Sequence, residues 1–231
     1  MAAQPTPTLT QWWRDVTFLH WPVETRLVAG LLPAGTRPDT HEGVTYVGLV
    51  PFRMHRVGLG PLPPIPYLGT FCETNVRLYS VDDEGRPGVV FRSLDAARLL
   101  PVLAGRTIPR LPYKWSGMRL GRVDDVLTYS CRRIWPDRAT SRVVVKTGEP
   151  IVQPTPLEHF LTARWGMHLS LRGRTRYLPN EHPPWPLHRA DLLDLDDALI
   201  GAAGLPRPTG PPVSVLCSPG VPVRFGVPAL A

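Results

Sequence analysis

Proline and glycine set the first limit on what this chain can fold into. Its 231 residues include 29 prolines and 20 glycines, scattered so that they punctuate the sequence every few residues. Proline removes a backbone donor and breaks helix interiors, and glycine favours turns. Short strands and turns therefore fit this spacing better than long helices. There is no low-complexity linker and no repeat of fixed period. Hydrophobic residues make up 43% of the chain and recur along its whole length, enough to bury a sizeable core. A single domain over residues 1–231 is expected, since all-β barrels of this size often stay undivided, with residues 1–11 as an N-terminal tail.

The formal net charge is +7, and Lys114 and Lys146 are the only lysines among 26 basic residues. The arginine bias fits a GC-rich bacterial genome. A basic balance suits nucleic acid, an anionic small molecule or no specific partner. The arginines run from Arg14 to Arg224 without a dense basic stretch or interleaved aromatics, which argues against nucleic acid. Cys72, Cys131 and Cys217 are odd in number and widely spaced, as free thiols in a reducing compartment would be. The N-terminus lacks the pattern of a signal peptide, and no apolar stretch is long enough to span a membrane. A cytoplasmic protein is expected.

Along the chain, Val23 to Leu32 reads as a helix stopped by Pro33 and Gly35. Gly43 to Val57 reads as β, and Gly58 to Gly69 as a proline-rich loop. Phe71 to Val81 alternates with a period of two. A turn from Asp82 to Gly88 leads into a returning strand at Val89. Ser93 reads as the cap of a helix from Leu94 to Leu103. Pro112–Leu120, Val126–Ile134 and Val143–Lys146 follow as strands. Thr155, Pro156 and Glu158 form a capping box that opens a helix running to about Trp165. Met167–Arg172 and Thr175–Leu178 make a hairpin around Gly173-Arg174. A helix from Leu192 to Ala203 then precedes a final β pair, Val213–Cys217 and Val221–Phe225. The fold class is α+β, mainly antiparallel β, closed into a barrel that removes exposed edges.

No phosphate-binding glycine loop, nucleophile elbow or H-E-x-x-H is present. The seven histidines are not at metal-ligand spacings, so no metal and no cofactor are implied. Four groups of residues invite chemistry. The polar face of the strand from Phe71 holds Glu73, Asn75 and Arg77; it is either a solvent face or the wall of a pocket in which Arg77 holds an anion. Lys114 stands between Tyr113 and Trp115. Desolvation there would lower its pKa towards Schiff-base chemistry, while snorkelling would leave it in water. His182 and Trp185 lie in a rigid proline segment, and His20-Trp21-Pro22 repeats the ingredients. Either histidine is a general acid or base, or part of a structural corner. Arg164, at the end of the capped helix, reaches into a cavity or closes the helix against its dipole.

These residues carry a resemblance. Phe18-Leu19-His20-Trp21, Val50-Pro51-Phe52, Phe71-x-Glu73-x-Asn75-Val76-Arg77-x-Tyr79, Gly88-Val89-Val90-Phe91-x-Ser93-Leu94-Asp95-Ala96, Leu111-Pro112-Tyr113, Leu157-Glu158-x-Phe160-Leu161-Thr162-x-Arg164-Trp165 and His182-x-x-Trp185-Pro186-Leu187, in that order, resemble the YqjF-like proteins, a domain of unknown function. The resemblance runs from about Trp12 to Phe225. It implies the fold of acetoacetate decarboxylase, a cone-shaped antiparallel β-barrel with an internal pocket and a few short flanking helices. That enzyme uses two successive lysines after a proline. Here Pro112-Tyr113-Lys114 looks like the matching place, with Tyr113 at the nucleophile's position and Lys114 at the accessory lysine's. The departure argues against acetoacetate decarboxylation itself. Glu73 is similar to an acidic residue lining the decarboxylase pocket.

Three functions stand as expectations. The first is a pocket protein binding an anionic or carbonyl-bearing small molecule, with Glu73, Tyr113, Asn75, Arg77, Trp115, Arg164, His182, Trp185 and His20 around the ligand. The second is a Schiff-base enzyme acting on a small keto acid through Lys114. The third is a basic nucleic-acid module. A homo-oligomer is compatible with each.

Overall fold

A computed structural model describes residues 9–59, 69–98, 111–226 and 229–230. Its strands are β1 (Leu9–Val23), β2 (Thr36–Pro38), β3 (Thr45–Leu59), β4 (Phe71–Asp82), β5 (Pro87–Ala96), β6 (Tyr113–Val123), β7 (Val126–Trp135), β8 (Thr140–Pro150), β9 (Gly166–Leu171), β10 (Arg174–Glu181), β11 (His188–Asp197), β12 (Ser214–Phe225) and β13 (Ala229–Leu230). Three short helices accompany them: α1 (Thr25–Ala29), α2 (Pro156–Thr162) and α3 (Leu199–Ala202). Among the described residues, no helix is long and apolar enough to cross a membrane.

The strands close on themselves twice. One circuit runs β1-β3-β4-β5-β6-β7-β8-β11-β12 and back to β1, a nine-strand barrel. It is mixed, because β5 and β6 pair in parallel through Leu94 and Tyr113. A second circuit leaves β5 through β9 and β10 and rejoins at β12. The two rings share β1, β3, β4, β5 and β12. Shared strands have a lumen on each side, so both their faces are buried, from Val16 to Trp21 in β1 and from Glu73 to Ser80 in β4.

The alternation of β4 divides its side chains between the two lumens. Val76 and Leu78 join Leu19, Leu49, Leu127 and Val145 in the core of the nine-strand ring. The other face, with Glu73, Asn75, Arg77 and Tyr79, looks into the second ring. There Phe18 and Phe52 pack in one cluster, and Tyr79, Leu161, Met167 and Phe225 in another.

Several expected elements take a different form. Val23 ends β1, so α1 is shorter than the apolar stripe suggested. Ser93 caps no helix: it lies in β5 and donates to Asp95 Oδ2 at 2.7 Å. The remainder of that expected helix, beyond residue 98, lies outside the described residues, as does most of the proline-rich loop. The expected helix from Leu192 is strand β11, paired with β8; only Leu199–Ala202 is helical. A bulge between Leu192 and Asp194 shifts the register, so that Leu192 and Leu195 both face the core. That spacing of three imitates a helix. The expected final hairpin is one strand. Cys217 and Val221 both pair with β1, through Thr17 and Trp13. β1 itself begins at Leu9, inside the stretch expected as a tail.

The capping box of α2 is present, with Glu158 N–H donating to Thr155 Oγ1 at 3.2 Å and Thr155 N–H to Glu158 Oε2 at 2.7 Å. It fixes the start of the helix that roofs the second lumen. α2 ends at Thr162, short of Trp165.

Candidate functional site

Inside the second ring lies a cavity of about 30 Å³. Strands β1, β3 and β4 form one wall. β5, β10, the end of α2 and the segment after β10 supply the rest. Of the residues singled out in the sequence, Asn75, Arg77, Arg164, His182 and Trp185 line it, and among the described residues no Asp or Glu does.

Arg77 is the central group. It is 8% exposed. Its Nε donates to the Tyr79 hydroxyl at 3.2 Å and its Nη2 to the Leu161 carbonyl at 2.9 Å. The rings of Phe18 and Tyr79 lie 5.4 and 5.5 Å from its guanidinium carbon. Among the described residues no carboxylate comes within ion-pair distance of it. Arg164 differs: it is paired with Asp39 and lies over the Phe160 ring at 4.2 Å. An uncompensated buried charge costs several kcal/mol, about 3–5 in measured cases. Neutral acceptors and ring faces offset only part of that at Arg77. An anion in the cavity would supply the rest.

His20 stands behind this wall, fully buried, with Nε2 2.7 Å from the Tyr79 hydroxyl. The Tyr79 proton is donated to the Leu161 carbonyl at 2.9 Å, which leaves His20 Nε2 as the donor to the Tyr79 oxygen. Burial, then the charges of Arg77 and Arg164, hold the His20 pKa well below the ordinary histidine range. The ring is thus a neutral support for Tyr79 and, through it, Arg77.

Aromatic side chains close the cavity. Trp13 and Trp185 lie parallel, 10° apart, with centroids at 5.9 Å. Trp185 Nε1 donates to the Thr162 carbonyl at 3.0 Å, tying the proline segment to the end of α2. His182 is 5.1 Å from Trp185 and 5.8 Å from Trp165, ring to ring. Burial lowers its pKa, against two nearby carbonyls that favour the charged ring.

The remaining expected site residues lie elsewhere. Glu73 and Tyr113 pair with each other, Tyr113 donating at 3.3 Å. Glu73 sits further along the same face of β4, Tyr113 opens β6, and neither lines the cavity. Glu73 is 3% exposed, and burial pushes its pKa up to about 8 despite the Tyr113 hydrogen bond. Trp115 lines a different, open groove with Arg53, Cys72 and Met118. Lys114 is half-buried, next to Tyr113 in β6, and its charge reaches the carboxyl of Asp137. Strand alternation puts it on the opposite face from Tyr113, and it lines neither the cavity nor the groove. No group of three or more His, Cys, Asp or Glu suited to a metal ion exists among the described residues.

Two lining residues with polar atoms, Trp13 and Asn180, were not legible in the sequence. Trp13 precedes a bulge at Asp15 (φ 49°) that hides the period of β1. Asn180 lies past Leu178, where the expected strand ended.

Comparison with known proteins places this geometry. Residues 10–222 match the family model DUF2071, described as an uncharacterized conserved protein. Uncharacterized protein YqjF of Bacillus subtilis (strain 168) is 31% identical over 210 residues, 89% of this chain and 85% of that one. Among solved structures, the enduracididine biosynthesis enzyme MppR complexed with pyruvate is similar at a TM-score of 0.65 and 16% identity, covering 99% of this chain and 92% of that one. An acetoacetate decarboxylase-like enzyme from Sphingomonas wittichii RW1 gives 0.66 and 13%, covering 97% and 93%. Acetoacetate decarboxylase from Legionella pneumophila gives 0.62 and 16%, covering 100% and 94%. At these identities the structures establish the fold, which is acetoacetate decarboxylase-like. By family match and by identity, the chain belongs to the DUF2071 family of YqjF-like proteins.

Proposed function

We propose that this protein binds a small carboxylate, or a similarly small carbonyl-bearing anion, inside the second ring beside Arg77. The observation that carries the reading is a buried guanidinium that, among the described residues, has no carboxylate partner and borders a cavity lined by no acidic group. Charge complementarity in a desolvated site is worth far more than at the surface. A cavity of about 30 Å³ favours a small ligand over a bulky one. The likeness to MppR, whose structure was solved with pyruvate, supports the same class of ligand.

A Schiff base through Lys114 gains no support, since that side chain does not line the cavity. Titration calorimetry tests the carboxylate reading. Acetate or pyruvate should bind at one site, and Arg77→Met should weaken binding at least about thirtyfold, as loss of a buried charged hydrogen-bond partner does. Equal affinity in wild type and Arg77→Met, or no binding of any small carboxylate, overturns the proposal.

A further inference from the structure

The cavity has more polar demands than a bare carboxylate can meet. Three residues of its lining each carry a buried polar atom with no hydrogen-bond partner among the described residues: Trp13 Nε1, Asn75 Oδ1 and Asn180 Oδ1. Asn75 is 5% exposed and Asn180 6%. A buried polar atom left unpaired costs about 1–3 kcal/mol, so all three on one small cavity mark a place built around a polar ligand. The indole N–H accepts nothing and needs an acceptor. The amide oxygens need donors. A carboxylate and a ketone offer acceptors only.

Two small groups would add the missing donor, an ammonium and a hydroxyl. An ammonium would donate, but it would share a cavity of about 30 Å³ with the guanidinium of Arg77 and that of Arg164, where like charge repels it. Nor does it offer Trp13 Nε1 an acceptor. A hydroxyl donates to one of the two amide oxygens, accepts from the indole and brings no charge. We infer that the ligand is a short-chain hydroxycarboxylate, its carboxylate on Arg77 and its hydroxyl among Trp13, Asn75 and Asn180. The inference rests on the carboxylate reading above and adds the second functional group.

Three acids of nearly equal size isolate that group: lactate with a hydroxyl, pyruvate with a ketone and propionate with neither. Each is titrated calorimetrically into the full chain, with both lactate enantiomers tested. One enantiomer of lactate should bind at least about tenfold tighter than pyruvate or propionate, since a site that hydrogen-bonds a hydroxyl discriminates against analogues lacking it. Asn180→Leu and Asn75→Leu should each lower lactate affinity by a larger factor than propionate affinity, and equal losses for both acids would overturn the hydroxyl assignment. The wild-type comparison needs no variant to fold. Pyruvate or propionate binding as tightly as the better lactate overturns the hydroxyl inference and leaves the carboxylate reading standing. Failure of all three acids to bind overturns both.

Discussion

Arg77 concentrates the chemistry of the molecule in one side chain. In wild type its charge is desolvated without a counter-ion, so replacing it by a methionine of similar length removes an unfavourable term along with two hydrogen bonds. Arg77→Met should therefore change the unfolding free energy of the unliganded protein little, by about 1 kcal/mol or less in urea titration, while weakening carboxylate binding at least about thirtyfold. A loss of several kcal/mol would mean that Arg77 is structural. Lys114 makes the opposite case. It faces away from Tyr113, so borohydride added with pyruvate should leave the intact mass unchanged, and Lys114→Ala should keep wild-type affinity for small carboxylates. A reduced adduct absent from Lys114→Ala would restore the Schiff-base reading. The residue scale was only partly legible. The polar face of β4 could be read from its period of two. The side of the strand occupied by Lys114 could not, because two adjacent residues of similar environment carry no phase.

At the scale of elements, the second lumen depends on strands that bend where their sequences carry no helix or strand signal. β1 bulges at Asp15, and the facing β12 must pass close to it. Gly220, at φ 112°, does so: a Cβ there would lie 1.8 Å from the Trp13 carbonyl oxygen. Gly220→Ala should destabilise the protein by several kcal/mol or prevent folding, through both strain and collision. A melting temperature within a few degrees of wild type would contradict the close approach. The capping box of α2 is a milder device. Thr155→Ala should cost about 1 kcal/mol, seen as a lower urea midpoint, and should loosen the roof that carries Thr162 and Arg164. Elements written in local chemistry, such as this cap and the alternation of β4, were legible in the sequence. The bulge at Leu192–Asp194 was not, because a local register shift converts a strand's period into a helix's. The final hairpin failed for a different reason: its two halves pair with β1, which is distant in sequence, and not with each other.

On the scale of the whole molecule, two lumens share one wall, and groups buried in and beside that wall make stability depend on pH. His20 is held neutral with a lowered pKa, and so is His168, by burial against the opposing pull of Asp82. The unfolded chain binds protons at these histidines more readily than the folded one as pH falls below about 6.5. Stability is therefore present above that pH and lost as pH falls through the lowered folded values. Glu73 acts in the other direction. Its folded pKa is about 8, above its unfolded value. Its contribution is full at low pH, declines as pH rises from about 4.5 and is lost by about 8. Urea midpoints of Glu73→Gln should exceed those of wild type at pH 8.5 and lose the advantage near pH 5; a constant difference across this range would contradict the assignment. The closed fold itself was readable from composition and family motifs. The doubling into two rings was not, since it depends on the parallel join of β5 with β6 and on β9 and β10, whose partners no local pattern announces.

The position of a bound carboxylate tests the central claim most directly. A crystal structure of the protein soaked in lactate should show the carboxylate in the second lumen, within hydrogen-bond distance of the Arg77 guanidinium. Ordered ligand in the open groove beside Arg53 and Trp115, with the Arg77 cavity holding none, would contradict the account.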